Sequence, residues 1–418
     1  MIDIKILREN SEKIKERIAL KKADPKLVDI VLEADQQRRE LLVELEEAQG
    51  QLNKYSKGIA ELHGQQKIDA IKEAGNYSAK VSQLKPKVAE LEDEFKKSLL
   101  LIPNPPADDV IVGESDKDNT TNRKWGEPTK FDFDFLDYLE LAKKHDLLDI
   151  ERGVKVAGSR SYYLKRELAL LEFAIIQYAM ETLVKEGFVP MVPPILLNRK
   201  IMEGAGYIPQ GEDEIYKTQD DTYLAGTAEQ PLAGYHMDDI LIEKVLPLRY
   251  VGFSSCFRRE AGSYGKDVKG ILRVHQFDKV EMFSYTVPED SSKEHEYLVS
   301  LEEKMMQGLK IPYQVVNICT GDLGAPAVKK FDIEAWIPSE NKYRETHSCS
   351  NCTDFQARRL NIRYKNKNDK IEYAHTLNGT AFAIPRLLIA ILENFQQKDG
   401  SIEIPEALHK YLSFKKIG

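Results

Sequence analysis

The chain lacks a hydrophobic run long enough to cross a bilayer. No window approaches the roughly 18–20 consecutive apolar residues that a membrane helix needs, so no membrane partner is expected. Its opening, MIDIKILREN, has neither the basic stretch nor the apolar stretch of a secretory signal. Cysteine is scarce: four in 418 residues, with only Cys349 and Cys352 close together, which argues against a disulfide framework. The cytoplasm is the expected compartment. Neither GxGxxG nor GxxxxGK followed by Ser or Thr comes after a strand-like segment, so the common dinucleotide and P-loop sites are absent. A surplus of positive charge is missing too, the net charge being −8. Net charge is an average, however, and nucleic-acid binding depends on where Lys and Arg cluster.

What is present begins with a heptad-like pattern. A three-four spacing of apolar positions runs from Val31 through Leu41, Leu45 and Leu52 to Leu62. It breaks at residues 63–66 and resumes from Ala74 through Tyr77, Val81, Leu84 and Val88 to Ile102. A 3.5-residue repeat marks a coiled-coil seam, and a short connection forces the second helix back along the first. The spacing therefore predicts an antiparallel helical hairpin within residues 1–102, reaching about 50 Å at 1.5 Å per residue. Arg38 on the seam and Pro86 within the second run are departures, the proline being expected to bend its helix. The outer half of the hairpin carries Lys54, Lys57, Lys80 and Lys87 beside an acidic base, an arrangement suited to phosphate contacts.

Residues 103–122, rich in Pro, Gly, Asp and Asn, read as a linker. The body, 123–418, mixes strand-like segments such as LRYVGFSSCF with helix-like ones such as PRLLIAILENFQQ. Strands placed as hairpins rather than in βαβ alternation predict an α+β fold with an antiparallel sheet. The most informative stretch is FRREAGSYGKDVKGILRVHQFDKVEMF, from Phe257 to Phe283. It reads as a strand carrying Arg258 and Glu260, then a loop with Gly262, Ser263, Tyr264, Gly265, Asp267 and Gly270. A returning strand then has Arg273, His275, Phe277, Lys279 and Glu281 on one face. A face mixing Arg, Glu and an aromatic ring is costly to bury without ligands.

This stretch resembles motif 2 of class II aminoacyl-tRNA synthetases, and its RVHQF wording is similar to the seryl-tRNA synthetase family of the common bacterial type. GFVPMVPP at 187–194 resembles motif 1, and HTLNGTAFAIPR at 375–386 resembles motif 3. TAEQPL at 227–232 resembles that family's serine-binding motif, and ETHSCSNCTDFQARR at 345–359 its ATP and metal loop. Motif 3 departs from the glycine-rich class pattern at Ala381 and Pro385, which implies a local backbone difference near Thr380.

The resemblance implies a serine–tRNA ligase that activates serine with ATP and esterifies it onto serine tRNA, with selenocysteine tRNA a second candidate. Arg258 would hold the α-phosphate and the serine carboxylate, and Arg386 the γ-phosphate, each through a planar fork that matches oxyanions. Phe277 would stack on adenine while Glu260 and the main chain at Val274 read its edge, with Arg259, Thr346 and His347 completing the ATP site. Glu345 and Ser348 offer hard oxygens to Mg²⁺. Thr227 and Glu229 would orient the serine amino group and Glu281 and Thr380 would meet its hydroxyl, with Ala228 and Asn378 also in the serine site. Pro194 implies a homodimer through motif 1, and the basic hairpin implies recognition of tRNA by shape. The lone CxxC of Cys349 and Cys352 is short of the four ligands that structural zinc takes, so no zinc is expected. A carrier-protein aminoacylating relative would usually lack the arm. A scaffold with a dead body would have no need of Arg258, Glu260, Glu281, Glu345 and Arg386 together.

Overall fold

The three-four spacing of the first hundred residues becomes two long helices packed along each other. The computed structural model describes residues 1–262 and 269–418, which form two units, Met1–Pro103 and Asn104–Gly418. In the first, short helices α1 (Ile4–Glu9) and α2 (Ser11–Ala19) precede α3 (Lys26–Gly58) and α4 (Gly64–Leu101). A single 3-10 turn, Ile59–Glu61, and two further residues connect the long pair. The connection comes earlier than the expected break at 63–66, since α4 already begins at Gly64. Along the seam Ala48, Val81 and Leu84 are buried, flanked by Leu41, Leu45, Leu52 and Tyr77. At the base, Leu7, Ile14 and Ile18 of α1 and α2 join Val28, Val31, Leu99 and Ile102 in a separate core.

The two departures from the repeat are accommodated locally. Arg38 turns its guanidinium over the Phe95 ring, 4.8 Å from the centroid, and donates to Asp35 at 3.2 Å. Asp35 is fully buried and also accepts two 2.7 Å hydrogen bonds from Arg8. Burial opposes its charge, yet the bonds from Arg8 and Arg38 hold its carboxyl below the usual range. Pro86 lies inside α4, which continues past it as one helix of 38 residues.

The second unit is built on an eight-stranded sheet. Its strands are β1 (Thr120–Trp125), β2 (Val189–Met191), β3 (Leu248–Phe257), β4 (Gln276–Thr286), β5 (Tyr313–Asn317), β6 (Lys329–Ile337), β7 (Lys342–Thr353) and β8 (His375–Ala383). Their spatial order is β1-β5-β6-β7-β8-β4-β3-β2, with every pairing antiparallel except that of edge strand β2 with β3. Three helices, α5 (Arg166–Lys185), α6 (Ser291–Gly308) and α7 (Ile384–Asn394), pack on the sheet around the main core. Pro385 falls in the first turn of α7, where its missing N–H is no loss. A second core, including Met202, Ala228, Leu232, Phe283 and Leu360, binds short helical segments to the sheet's opposite face. Gly252 permits one of those approaches, because a Cβ there would lie 2.9 Å from Leu232.

Of segment 103–122, read as a linker, the part from Asn104 onward is tied into the second unit. Asn104 donates to the carbonyls of Pro326 and Cys352, both at 2.9 Å, and Thr120–Asn122 already belong to β1. Its Pro- and Asp-rich composition reflects turns that pack on a neighbour rather than a free tether. Among the described residues no helix is long and apolar enough to cross a membrane.

Candidate active site

Alternation along β4 decides what faces the site. Val280 and Met282 enter the main core. Phe277, Lys279 and Glu281 have the opposite phase and line cavities on the other face. Two cavities adjoin there. The first, about 310 Å³, is lined by Arg258, Glu260, Arg273, Val274, Phe277, Lys279, Lys330, Glu345, Thr346, Ser348, Thr380 and Arg386, among others. The second, about 330 Å³, is lined by Tyr207, Glu229, Arg258, Lys279, Glu281, Lys330, Ser348, Cys352 and Asn378, among others. Arg258, Lys279, Lys330 and Ser348 belong to both walls.

Arg258 and Glu260 do not continue the strand: β3 ends at Phe257, and Glu260 has a φ of 54°. Both nonetheless reach the first cavity. The Arg258 main chain is clamped by His275, whose carbonyl accepts its N–H at 2.9 Å and whose Nδ1 donates to its carbonyl at 3.1 Å. The Arg258 side chain donates through Nε to the Gly226 carbonyl and lies 5.4 Å from the Phe277 centroid. Glu260 accepts from Arg273 at 3.1 Å. His275, expected on the strand face, precedes β4 and serves as this clamp. Gly262 is described, its N–H bonded to Glu214 at 2.9 Å, while Ser263, Tyr264, Gly265 and Asp267 lie outside the described residues.

On β7 a bulge sets the phase. Glu345 and Ser348 are three apart, which in a regular strand would place them on opposite faces. The register pairs Ile333 with His347 but Glu334 with Glu345, leaving Thr346 as an extra residue. That single insertion brings Glu345 and Ser348 onto the same wall of the first cavity. Glu345 lies 3.3 Å from Arg386, which also donates to its carbonyl at 3.0 Å. Desolvation opposes its charge, but Arg386, Lys330 and Arg258 hold the Glu345 carboxyl well below the usual range. A charged carboxylate beside a hydroxyl suits a hard divalent cation such as Mg²⁺.

In the second cavity Glu229 accepts from Tyr207 at 2.7 Å and from Gln356 at 2.8 Å. Burial raises its pKa, and those two bonds and Lys279 oppose the rise. Glu281 is ion-paired with Lys279, and burial pushes its pKa up to about 7. Lys279 also donates to the Thr227 hydroxyl at 3.1 Å. Thr380 pairs with Glu281 across the β8–β4 ladder, and a bulge at Ala381 follows it.

Several expected residues stand elsewhere. Thr227 and Ala228 are buried behind the second cavity rather than among its lining residues. The Arg259 main chain is tied to Glu214, and its side chain lines neither cavity. His347 points to the other face of the sheet, 5.5 Å from the Phe382 ring, and burial drops its pKa to about 3. It is the residue beyond the bulge, so it has the opposite phase to Ser348. Cys349 and Cys352 likewise divide between the two faces, Cys349 in the main core and Cys352 in the second cavity. Among the described residues no three His, Cys, Asp or Glu side chains converge for a metal.

Sequence reasoning assigned no role to Lys330, Tyr207 or Gln356, and left Lys279 as one member of a face. Lys279 was legible from the period-2 pattern. Lys330 reaches the site because β6 lies beside β7, a pairing that local sequence does not display.

Comparison with known proteins agrees with this geometry. Residues 214–395 match the model of the tRNA synthetase class II core domain (G, H, P, S and T). The fold is thus that of a class II aminoacyl-tRNA synthetase. Residues 1–106 match the seryl-tRNA synthetase N-terminal domain. The serine–tRNA ligase of Dictyoglomus turgidum is 50% identical over 100% of this chain and 99% of its own length. That of Nitrosopumilus maritimus is 42% identical with full coverage of both. A seryl-tRNA synthetase from Pyrococcus horikoshii complexed with ATP superposes with a TM-score of 0.93 at 42% identity, covering 100% of this chain and 99% of that one. The chain belongs to the seryl-tRNA synthetase family.

Proposed function

We propose that the first cavity binds ATP with Mg²⁺, that the second binds serine, and that seryl-adenylate forms at their shared wall. The carrying observation is the charge of that wall. The first cavity presents Arg258, Arg273, Lys279, Lys330 and Arg386 against the carboxylates Glu260 and Glu345, a surplus suited to a triphosphate. Arg258, common to both cavities, faces the α-phosphate on one side and the amino-acid carboxylate on the other. A serine carboxylate oxygen forms the new bond to the α-phosphorus, and the bond to the β-bridging oxygen breaks as pyrophosphate leaves. Both reactants are anions, so catalysis rests on positioning and on cations already in place. Arg386 receives the γ-phosphate; Phe277 stacks on adenine; Glu260 and the Val274 main chain read its edge. Glu345 and Ser348 hold Mg²⁺, which when bound screens the phosphate charges.

Glu229 takes the serine ammonium, and Glu281 takes the hydroxyl, together with its cross-strand neighbour Thr380 on the wall of the first cavity. A pocket built for a hydroxyl rejects alanine because its buried polar groups are left unpaired, an effect of about 10⁴-fold or more in comparable sites. The adenylate is then attacked by a terminal ribose hydroxyl of serine tRNA, with the basic face of α3 and α4 contacting tRNA backbone; selenocysteine tRNA is a second candidate. Motif 1 pairs two copies into a homodimer, and the compartment is the cytoplasm. The test is Mg²⁺-dependent ATP–pyrophosphate exchange with serine, alanine, threonine and cysteine. Exchange with serine alone is expected; exchange with none of the four overturns the reading.

A further inference from the structure

Lys279 is a charged side chain where burial is most costly. Its side chain is 8% exposed and stands on β4 two residues before Glu281, on the same face. The ammonium is shared between the Glu281 carboxylate and the Thr227 hydroxyl, 3.1 Å away. Thr227 in turn accepts from the Glu229 main-chain N–H at 3.3 Å, at the start of the Glu229–Ala233 helix. One ammonium thus joins the central strand to the segment that carries Glu229, and it lies on the wall common to both cavities. Removing one partner of such a buried pair leaves an uncompensated charge.

We propose that Lys279 is a positioning residue for serine: it holds Glu281 as an oriented carboxylate to accept the substrate hydroxyl and ties Thr227, and through it Glu229, into register. This rests on the reading of the second cavity as the serine site. The groups that act on Glu281 are consistent with the assignment. On its own strand there is Lys279; from the facing segments come Glu229 and Arg258, with Tyr207 bonded to Glu229. On β3 lies Cys256, and behind the sheet Glu302 of α6 and Cys349 of β7. Burial, together with Glu229, raises the Glu281 carboxyl to about 7, and Lys279 is the first of the influences opposing the rise. Arg258 also opposes it but is committed to the Gly226 carbonyl and to the phosphate side.

The sign of the pH effect follows. The carboxylate is the form that accepts a hydroxyl proton, so serine binding tightens as pH rises through the Glu281 pKa. Without Lys279 that transition moves to higher pH. The test is serine-dependent exchange between pH 6 and 8.5 in the full-length wild type, Lys279→Met and Lys279→Arg. Serine KM in Lys279→Met should rise tenfold or more at pH 7 and recover toward high pH. Lys279→Arg should fall between wild type and Lys279→Met. An unchanged serine KM, or a rise with the wild-type pH profile, overturns the proposal. Should Lys279→Met fail to fold, Glu281→Gln decides: the pH step in serine KM must vanish, and its persistence overturns the proposal. A wild type without serine exchange would instead overturn the underlying reading of the cavity.

Discussion

Glu302 shows what a single buried carboxyl can reveal. It sits on α6 behind the sheet, fully buried, and neither of its side-chain oxygens has a hydrogen-bond partner among the described residues. Gly379 makes room for it, since a Cβ there would lie 3.0 Å from its Oε1. Burial, reinforced by the nearby charge of Glu281 and Asp332, pushes its pKa well above the carboxylate range. The folded state therefore keeps a proton that the unfolded chain releases above about pH 4.3. Stability from this group is complete at low pH and is lost as pH rises toward the folded pKa. Glu302→Gln should gain on wild type by up to about 1.4 kcal/mol per pH unit across that window. Denaturant melts at pH 5, 6, 7 and 8 check it; a constant difference would mean that Glu302 is ionised in the fold. Nothing in LVSLEEKMMQG separates this glutamate from the adjacent Glu303, which pairs with Arg123. The difference between them is one of helix face.

At the scale of elements, the β7 bulge joins sequence to chemistry. Spacing alone would have set Glu345 and Ser348 on opposite faces; their assignment to one cation came from the resemblance, and Thr346 supplies the missing residue of phase. Glu345→Gln should leave the bulge in place and remove the charge that shares the cavity wall with Ser348. Mg²⁺-dependent exchange should then fall by about three orders of magnitude, a loss of the size seen for removal of a key electrostatic group. Circular dichroism should stay close to wild type. Retained exchange would show that the Glu345 carboxylate is not needed for the cation. The long helices offer a prediction of the opposite kind. Lys54, Lys57 and Lys87 are exposed, and exposed Lys80 is paired with Glu44 at 2.7 Å. Replacing all four with Ala should raise tRNA KM by roughly tenfold or more and flatten its salt dependence, since phosphate contacts carry that dependence. Exchange should be unaffected; equal loss of both steps would place the defect in the body. The hairpin was readable because a seam is a local, periodic property. Helices α1 and α2 were not, being short and stabilised only by packing at the base of α3 and α4.

At the scale of the whole chain, periodic and motif-bearing features were legible and cross-strand neighbours were not. Phe277 and Glu281 could be assigned to one face from alternation, whereas Lys330 needs the order β6-β7-β8-β4 to bring it to the same cavity. Edge strand β2 poses the remaining question of assembly. It pairs in parallel with β3 on one side, and Pro190 within it lacks the N–H that a ladder uses, a residue suited to a sheet edge. In it and just after it large apolar side chains stand in solvent: Val189 at 50%, Val192 at 82% and Leu196 at 57%. Apolar clusters of this kind on a folded unit commonly mark an interface. With exposed Pro194 in the same segment, the surface fits a two-fold contact between copies, in which one patch meets its own equivalent. Val192→Glu would place two like charges across that contact. Sedimentation velocity should show wild type at twice the chain mass of 47.7 kDa and the variant shifted to monomer at micromolar concentration. A dimer that survives both Val192→Glu and Leu196→Glu would move the interface to another face.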